Sequence, residues 1–365
     1  MTQPDAPYEA YVWAFFTGEG QGAEQVCLAV SRGSTALDWV TLNDGEPLLS
    51  SGYGTRGLRD PFLIRSHDGE RFYLLATDLR VAGLDGGFAT AQLRGSRYLE
   101  VWESTDLVHW GEQRHVLVSG PEAGNTWAPE AFWCEEEGAY VVYWASNLYE
   151  EADPARREHL TYNRLMYATT TDFRTFSEPR VWVDSVRGSG QEGWGVIDAT
   201  VAREDGTYFR VYKDEGDMTL RLERSTDLLA TVVGDLPAQG QEVAADEWAL
   251  VSEQVCAGLP NGVEGATFLH GEGPSLFPAN PGDASGARWY LFIDQPGYHE
   301  GPDHYVPFAT AKPLALTRPE DWYSCAEGFA ARMPCNADGG RPRHGTVVPV
   351  TAAERDHLLA ALGPR

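Results

Sequence analysis

Five times along the chain a short segment opens on a small or polar residue and runs into an apolar stretch. These are "DPFLI" at 60, "APEAF" at 128, "DATVA" at 198, "EGATF" at 264 and "HGTVV" at 344, spaced by 68, 70, 66 and 80 residues. A repeat of this length has to be explained before any single motif, because it dictates which segments can be neighbours. Behind each of the first four lies a second run of aromatic and β-branched residues: "FYLLATD" (72–78), "YVVYWAS" (140–146), "YFRVYKD" (208–214) and "WYLFIDQ" (289–295). Such residues suit strands. A third strand follows and stops at a Ser/Thr-x-Asp turn in "WESTDL", "ATTTDF" and "LERSTDL", where the side chains can cap the backbone.

The fifth segment leaves about twenty residues after His344, too few for a complete unit. The missing strands stand at the other terminus, in "YVWAFFTG" (11–18), "QVCLAVSRG" (25–33) and "ALDWVTL" (36–42). The chain is therefore expected to be all-β: a five-bladed β-propeller filling 1–365 as one domain, closed by pairing of the C-terminal strand with the N-terminal blade. A β-sandwich is the alternative, and it would have to treat the spacing as coincidence. "TAAERDHLLAALG" (351–363) has helical spacing and predicts one terminal helix. Long stretches near 81–97, 147–162, 236–262 and 270–287 read as loops over one face.

In a propeller the five first strands line the axis, so residues 60, 128, 198, 264 and 344 occupy equivalent places. Their identities are Asp, Ala, Asp, Glu and His. Three converging carboxylates repel one another, and stability alone does not ask for them. Clustered acids serve glycoside hydrolysis, in which one protonates the leaving oxygen and another activates water or attacks carbon. The G-x-S-x-G, H-E-x-x-H and Walker motifs of other hydrolases are absent. Antiparallel pairing returns the ends of the second strands to the same face, which places Asp78, Lys213 and Gln295 at the rim as sugar contacts. Trp127 is expected as a pocket wall, with Glu130 and Arg343 near the axis, pairing or holding hydroxyls.

The ordered series "RDPFLI", "WAPEAF", "VIDATV", "VEGATF" and "RHGTV" resembles glycoside hydrolase family 43 across essentially the whole chain. The resemblance implies the same five-bladed fold and inverting hydrolysis. It implies Asp60 as general base, Asp198 as the carboxylate that tunes and orients the acid, and Glu264 as general acid, with "EGA" standing where "EGP" is usual. Inversion needs room for a water, roughly 6.5–9.5 Å between acid and base carboxyls. Arg59-Asp60-Pro61 also resembles the family 32 fructosidases, but their earlier Asn-Asp-Pro is missing. The resemblance further implies an exo-acting furanosidase, with α-L-arabinofuranosidase first, and β-D-galactofuranosidase or β-xylosidase as alternatives. In a different class, a non-catalytic carbohydrate-binding propeller would be expected to have lost one of the acids.

No cofactor is expected to be required. The late "PRHGTV" resembles the family's histidine motif, near which a structural calcium or other hydrated ion can sit in the central channel, so His344 is the expected metal contact, through waters. The partner expected is an oligosaccharide or a polysaccharide side chain. A formal charge of −26 opposes nucleic acid and anionic membranes as partners. The first residues lack a basic start and a cleavage site, and no apolar run reaches membrane-spanning length, so a cytoplasmic protein is expected. Five widely spaced cysteines without metal-site spacing read as reduced thiols.

Overall fold

A computed structural model describes residues 7–20, 22–186 and 194–364; the first six residues considered above lie outside them. Five antiparallel sheets form the five blades of a propeller. Blade one is built from Leu58–Arg65, Phe72–Asp78, Tyr98–Ser104 and Arg114–Leu117. Blade two comprises Trp127–Cys134, Ala139–Asn147, Asn163–Thr170 and Arg180–Asp184, with the short Val232–Val233 added in parallel at its outer edge. Blade three follows from Val196–Glu204, Thr207–Asp214, Thr219–Ser225 and Ala249–Ser252, and blade four from Glu272–Pro278, Trp289–Gln295, His304–Thr310 and Tyr323–Ser324. Blade five takes its inner strand, Arg343–Thr351, from the C-terminus and the other three, Tyr8–Phe16, Cys27–Ser31 and Trp39–Thr41, from the N-terminus. The ring closes as expected.

The second strands of blades one, two and four are buried throughout, and those of blades three and five beyond their first residues, because both faces pack against neighbouring blades. That is why they read as unbroken apolar runs. Trp13, Trp39, Phe292, Tyr305 and Phe329 interlock between blades four and five, with Trp13 at 5.2–6.3 Å from each of the other rings. The Ser/Thr-x-Asp turns are capped as the sequence indicated: Ser104 Oγ accepts from Leu107 N–H at 2.9 Å, and Thr170 Oγ1 from Phe173 N–H at 3.0 Å. Leu107 and Phe173 take positive φ of 65° and 52° and drop fully buried side chains between the blades.

One irregularity shapes the axis. In each inner strand the pairing slips by one residue: Arg59 faces Thr77 but Phe62 faces Leu75, and the same slip follows Trp127, Ile197, Glu272 and Arg343. Such a bulge bends the strand and re-aims its side chains. Its first residue has positive φ in four blades, at Asp60 (50°), Ala128 (51°), Asp198 (59°) and Gly273 (53°), and His344 fills the matching place in the fifth. Blade four therefore begins at Glu272. The stretch 270–287, read above as a loop, contains this inner strand, and the connection 81–97 carries an unexpected helix, Gly87–Arg94. The terminal helix spans Ala352–Leu362. Among the described residues no helix is long and apolar enough to cross a membrane.

Candidate active site

The residue before each bulge and the first bulged residue form two stacked tiers around the axis. The upper tier is Arg59, Trp127, Ile197, Glu272 and Arg343; the lower is Asp60, Ala128, Asp198, Gly273 and His344. All five side chains of the upper tier, with Asp60, Asp198 and His344 of the lower, line one cavity of about 480 Å³. Phe88, Lys213, Glu215, Asp294 and Tyr298 are among the residues that form the rest of its walls. The opposite mouth of the axis is an apolar recess lined by Phe62, Ile64, Phe132 and Leu276 among others. Asp60, Asp198 and Glu272 all stand in the first cavity, which makes it the candidate site.

At its floor His344 Nδ1 stands 3.4 Å from Asp60 Oδ1 and 3.8 Å from Asp198 Oδ1. Burial opposes charge on the imidazole, but the two aspartates outweigh it and push its pKa up to about 10. His344 is thus an imidazolium that neutralises part of the acidic floor. Asp60 also accepts a 2.8 Å hydrogen bond from Thr77 Oγ1. Burial works to raise its pKa, yet the His344 hydrogen bond and charge, with Arg59 and Thr77, hold it below the usual carboxylate range. Asp198 goes the other way. Burial dominates there, the charges of Glu272 and Asp60 add to it, His344 only partly offsets it, and the pKa rises to about 6. Its Oδ2 accepts from the Gly273 N–H at 3.0 Å.

Glu272 lies in a cationic cradle. Lys213 Nζ is 2.8 Å from its Oε2, His299 Nε2 3.5 Å from the same oxygen, and Arg343 Nη2 3.4 Å from Oε1. The Tyr298 hydroxyl also donates to Oε1. Burial would raise the Glu272 pKa, but Lys213, the His299 hydrogen bond and Arg343 hold it well below the ordinary value. Arg343 in turn binds Asp294, with Nε 2.8 Å from Oδ2. Glu215, raised chiefly by burial, accepts from Asn163 Nδ2 at 3.2 Å.

Of the residues expected from sequence, the structure brings Asp60, Asp198, Lys213, Trp127, Arg343 and His344 to this cavity. Glu264 is not among them. It is exposed in a tight turn in which Ala266 N–H donates to the Val263 carbonyl. The apolar end of "EGATF" imitates an inner strand because Phe268 is fully buried, edge-on to Phe308. The place expected for Glu264 belongs to Gly273, with the acid Glu272 one residue before it in the upper tier, and "EGP" stands intact at 272–274. Spacing carried the signal: Glu272 is 74 residues after Asp198 and 72 before His344, against 66 and 80 for Glu264.

Two expected rim residues, Asp78 and Gln295, and Glu130, expected near the axis, stand outside this cavity. Asp78 is held by Thr55, whose N–H and Oγ1 donate at 2.7 and 2.8 Å to its Oδ1, and faces a recess beside Tyr98 and His115. Gln295 is buried and its Oε1 accepts from Asn261 Nδ2 at 3.0 Å. Glu130 is one tier below the floor; Tyr143 donates to it at 3.1 Å, burial raises its pKa to about 8, and Arg343 pairs with Asp294 and Glu272 instead. His344, expected to meet an ion only through waters, has its Nδ1 turned toward Asp60 and Asp198. Sequence reasoning missed Glu272, Asp294, Glu215 and Tyr298. It also missed Phe88, which the helix Gly87–Arg94 stands edge-on to Trp127 at 6.1 Å.

Comparison with known proteins adds the following. A family model described as "probable glycosyl hydrolase domain", related to glycoside hydrolase family 43, matches residues 6–356. An α-L-arabinofuranosidase of Bifidobacterium longum subsp. longum is 34% identical over 255 residues, which cover 64% of this chain and 23% of the relative. The chain thus spans about a quarter of that relative's length. Among solved structures, an endo-1,4-β-xylanase from Bacteroides thetaiotaomicron superposes with a TM-score of 0.53 at 13% identity, covering 87% of this chain and 94% of that one. The likeness is one of fold. An α-L-arabinofuranosidase from Lactobacillus brevis gives 0.44 at 14% identity over 77% of this chain and 74% of that one.

Proposed function

The chain belongs to this family of glycoside hydrolases related to family 43, and on that premise we propose that it is an inverting, exo-acting α-L-arabinofuranosidase in which Asp60 is the general base, Glu272 the general acid and Asp198 the carboxylate that tunes the acid. The observation that carries the reading is the meeting of Asp60, Asp198 and Glu272 in one cavity, with His344 between the first two. The choice of sugar rests on the arabinofuranosidase relative. Exo action is supported by the walls: the helix Gly87–Arg94 brings Phe88 and Gln92 to one side and Tyr298 stands on another.

The charges fit this division of labour. Asp60 is held ionised, as a base must be to take a proton from water. Glu272 is ionised in the empty pocket, so it has to gain its proton as the sugar enters. Sugar hydroxyls that take over the hydrogen bonds of Lys213 and Arg343 loosen the cationic hold while leaving the carboxyl buried. Burial alone raises a carboxylate's pKa. The acid is thereby armed by the substrate.

Release of 4-nitrophenol from the α-L-arabinofuranoside, β-D-galactofuranoside and β-D-xylopyranoside tests the substrate, with the arabinofuranoside expected fastest; exclusive cleavage of the xyloside would overturn the choice. Proton NMR should find the first-formed sugar with inverted configuration. Glu272→Gln should lose roughly a hundredfold or more on oligosaccharides and less on aryl glycosides, since proton donation contributes about 10²–10⁴ mainly when the leaving group is poor. Glu264→Gln should remain within about twofold of wild type, as expected of an exposed surface substitution.

A further inference from the structure

Tyr298 combines two properties that rarely coincide. Its side chain is 68% exposed, yet its hydroxyl donates to Glu272 Oε1 inside the cavity. The loop that carries it is tightly held. His299 points inward, is 5% exposed and meets Lys213 Nζ at 3.3 Å. Asp303 Oδ1 accepts from Gly297 N–H at 3.2 Å, Glu300 turns the chain at a φ of 59°, and a Cβ at Gly301 would lie 2.3 Å from the Gln295 carbonyl oxygen. A flexible surface tyrosine gains nothing from such anchoring. A ring that must stand at one angle beside a reacting carboxyl does.

We propose that Tyr298 is the positioning residue of the acid Glu272 and that the exposed face of its ring is the platform for the leaving-group sugar. The proposal rests on the assignment of Glu272 above. The hydroxyl fixes one carboxylate oxygen, so that the other, facing Lys213 and His299, is the one that takes up and delivers the proton. The ring then supplies what an acetal leaving group needs, an apolar face against which sugar C–H groups pack, at the point where the pocket opens to solvent. Beyond Tyr298, the groups that surround Glu272 are Lys213 and Asp198 of blade three, Glu215 beyond the end of Lys213's strand, Asp294 of blade four, His299 of the same loop and Arg343 of blade five. None of these is altered by changing the tyrosine.

Removing only the hydroxyl, in Tyr298→Phe, takes a hydrogen bond from the ionised form of Glu272 and must favour its protonation. The basic limb of kcat/KM on 4-nitrophenyl α-L-arabinofuranoside, or on whichever of the three aryl glycosides is cleaved, should move up by about half a unit to one unit, the size expected of one hydrogen bond to a charged group. The acidic limb, set by Asp60, should stay. Tyr298→Ala should show the same displacement and, in addition, raise KM about tenfold for a disaccharide but not for the corresponding methyl glycoside. Thermal midpoints of both variants should match wild type. An unmoved basic limb in Tyr298→Phe, in an enzyme that Glu272→Gln inactivates, overturns the proposal alone. Equal KM increases for disaccharide and methyl glycoside in Tyr298→Ala overturn the platform. Full activity in Glu272→Gln removes both this proposal and the assignment beneath it.

Discussion

Gly273 shows how closely the floor of the cavity is fitted. Its φ is 53°, and a Cβ there would lie 2.6 Å from Cγ of the His344 ring. Gly273→Ala should therefore strain the backbone and displace the imidazolium from between Asp60 and Asp198. Gly282→Ala separates the two effects, because Gly282 has a φ of 81° with nothing within 4 Å. Both variants should lose about 1 kcal/mol or more of stability, the usual cost of left-handed backbone at a non-glycine residue, measured by denaturant unfolding. Only Gly273→Ala should lose activity, by about tenfold or more, as misplaced catalytic groups do. At this scale Asp60, Asp198 and His344 were legible in the sequence, because each opens an apolar inner strand at a regular interval. Glu272 was not, because the turn ending in Phe268 carries the same small-then-apolar pattern eight residues too early. Asp78 and Gln295 were misplaced for another reason: a strand's register fixes where its end lies, while the side chain follows whichever donor is nearest, here Thr55 and Asn261.

The terminal helix works as a latch between blades. Thr351 and Glu354 form a reciprocal cap, and Glu354 also receives both Nη atoms of Arg65 on blade one at 2.8 and 2.9 Å. Leu358 is fully buried. Thr351→Ala should cost about 1 kcal/mol, as loss of an N-cap does, with unchanged kcat/KM since the helix does not line the cavity; a change in activity would mean that the latch transmits strain to His344. This helix was readable from its T-x-x-E start and the glycine that ends it. The helix Gly87–Arg94 was not. It opens on two glycines, buries only Ala91 and is held by the neighbouring blade, where Tyr149 and Arg157 donate to the carbonyls of Gln92 and Leu93. Second strands were the easiest elements to read, being buried on both faces; inner strands were the hardest, since the bulge breaks their alternation where the functional residues stand.

For the whole molecule, the ring makes a single electrostatic unit from residues contributed by every blade. Its consequence is a difference between free and occupied enzyme. In the free enzyme Lys213 and Arg343 hold Glu272 ionised, so kcat/KM should fall on its basic side at a lower pH than kcat, which reports the complex. Coincident basic limbs would mean that the substrate does not release Glu272 from its cations. The fold itself was legible because the repeat recurs often enough to force closure. Which face of the axis would hold the chemistry was settled by the bulges, which local patterning does not reveal. The closing strand adds a matter of timing. Arg343 and His344 stand on the strand that closes the ring and share with Arg59 and Lys213 the positive charge that Asp60, Asp198, Glu272 and Asp294 require. Docking of Arg343–Thr351 beside Tyr8–Phe16 and neutralisation of the acidic floor are therefore a single event, since without that strand Asp60, Asp198 and Asp294 would face one another with less opposing charge.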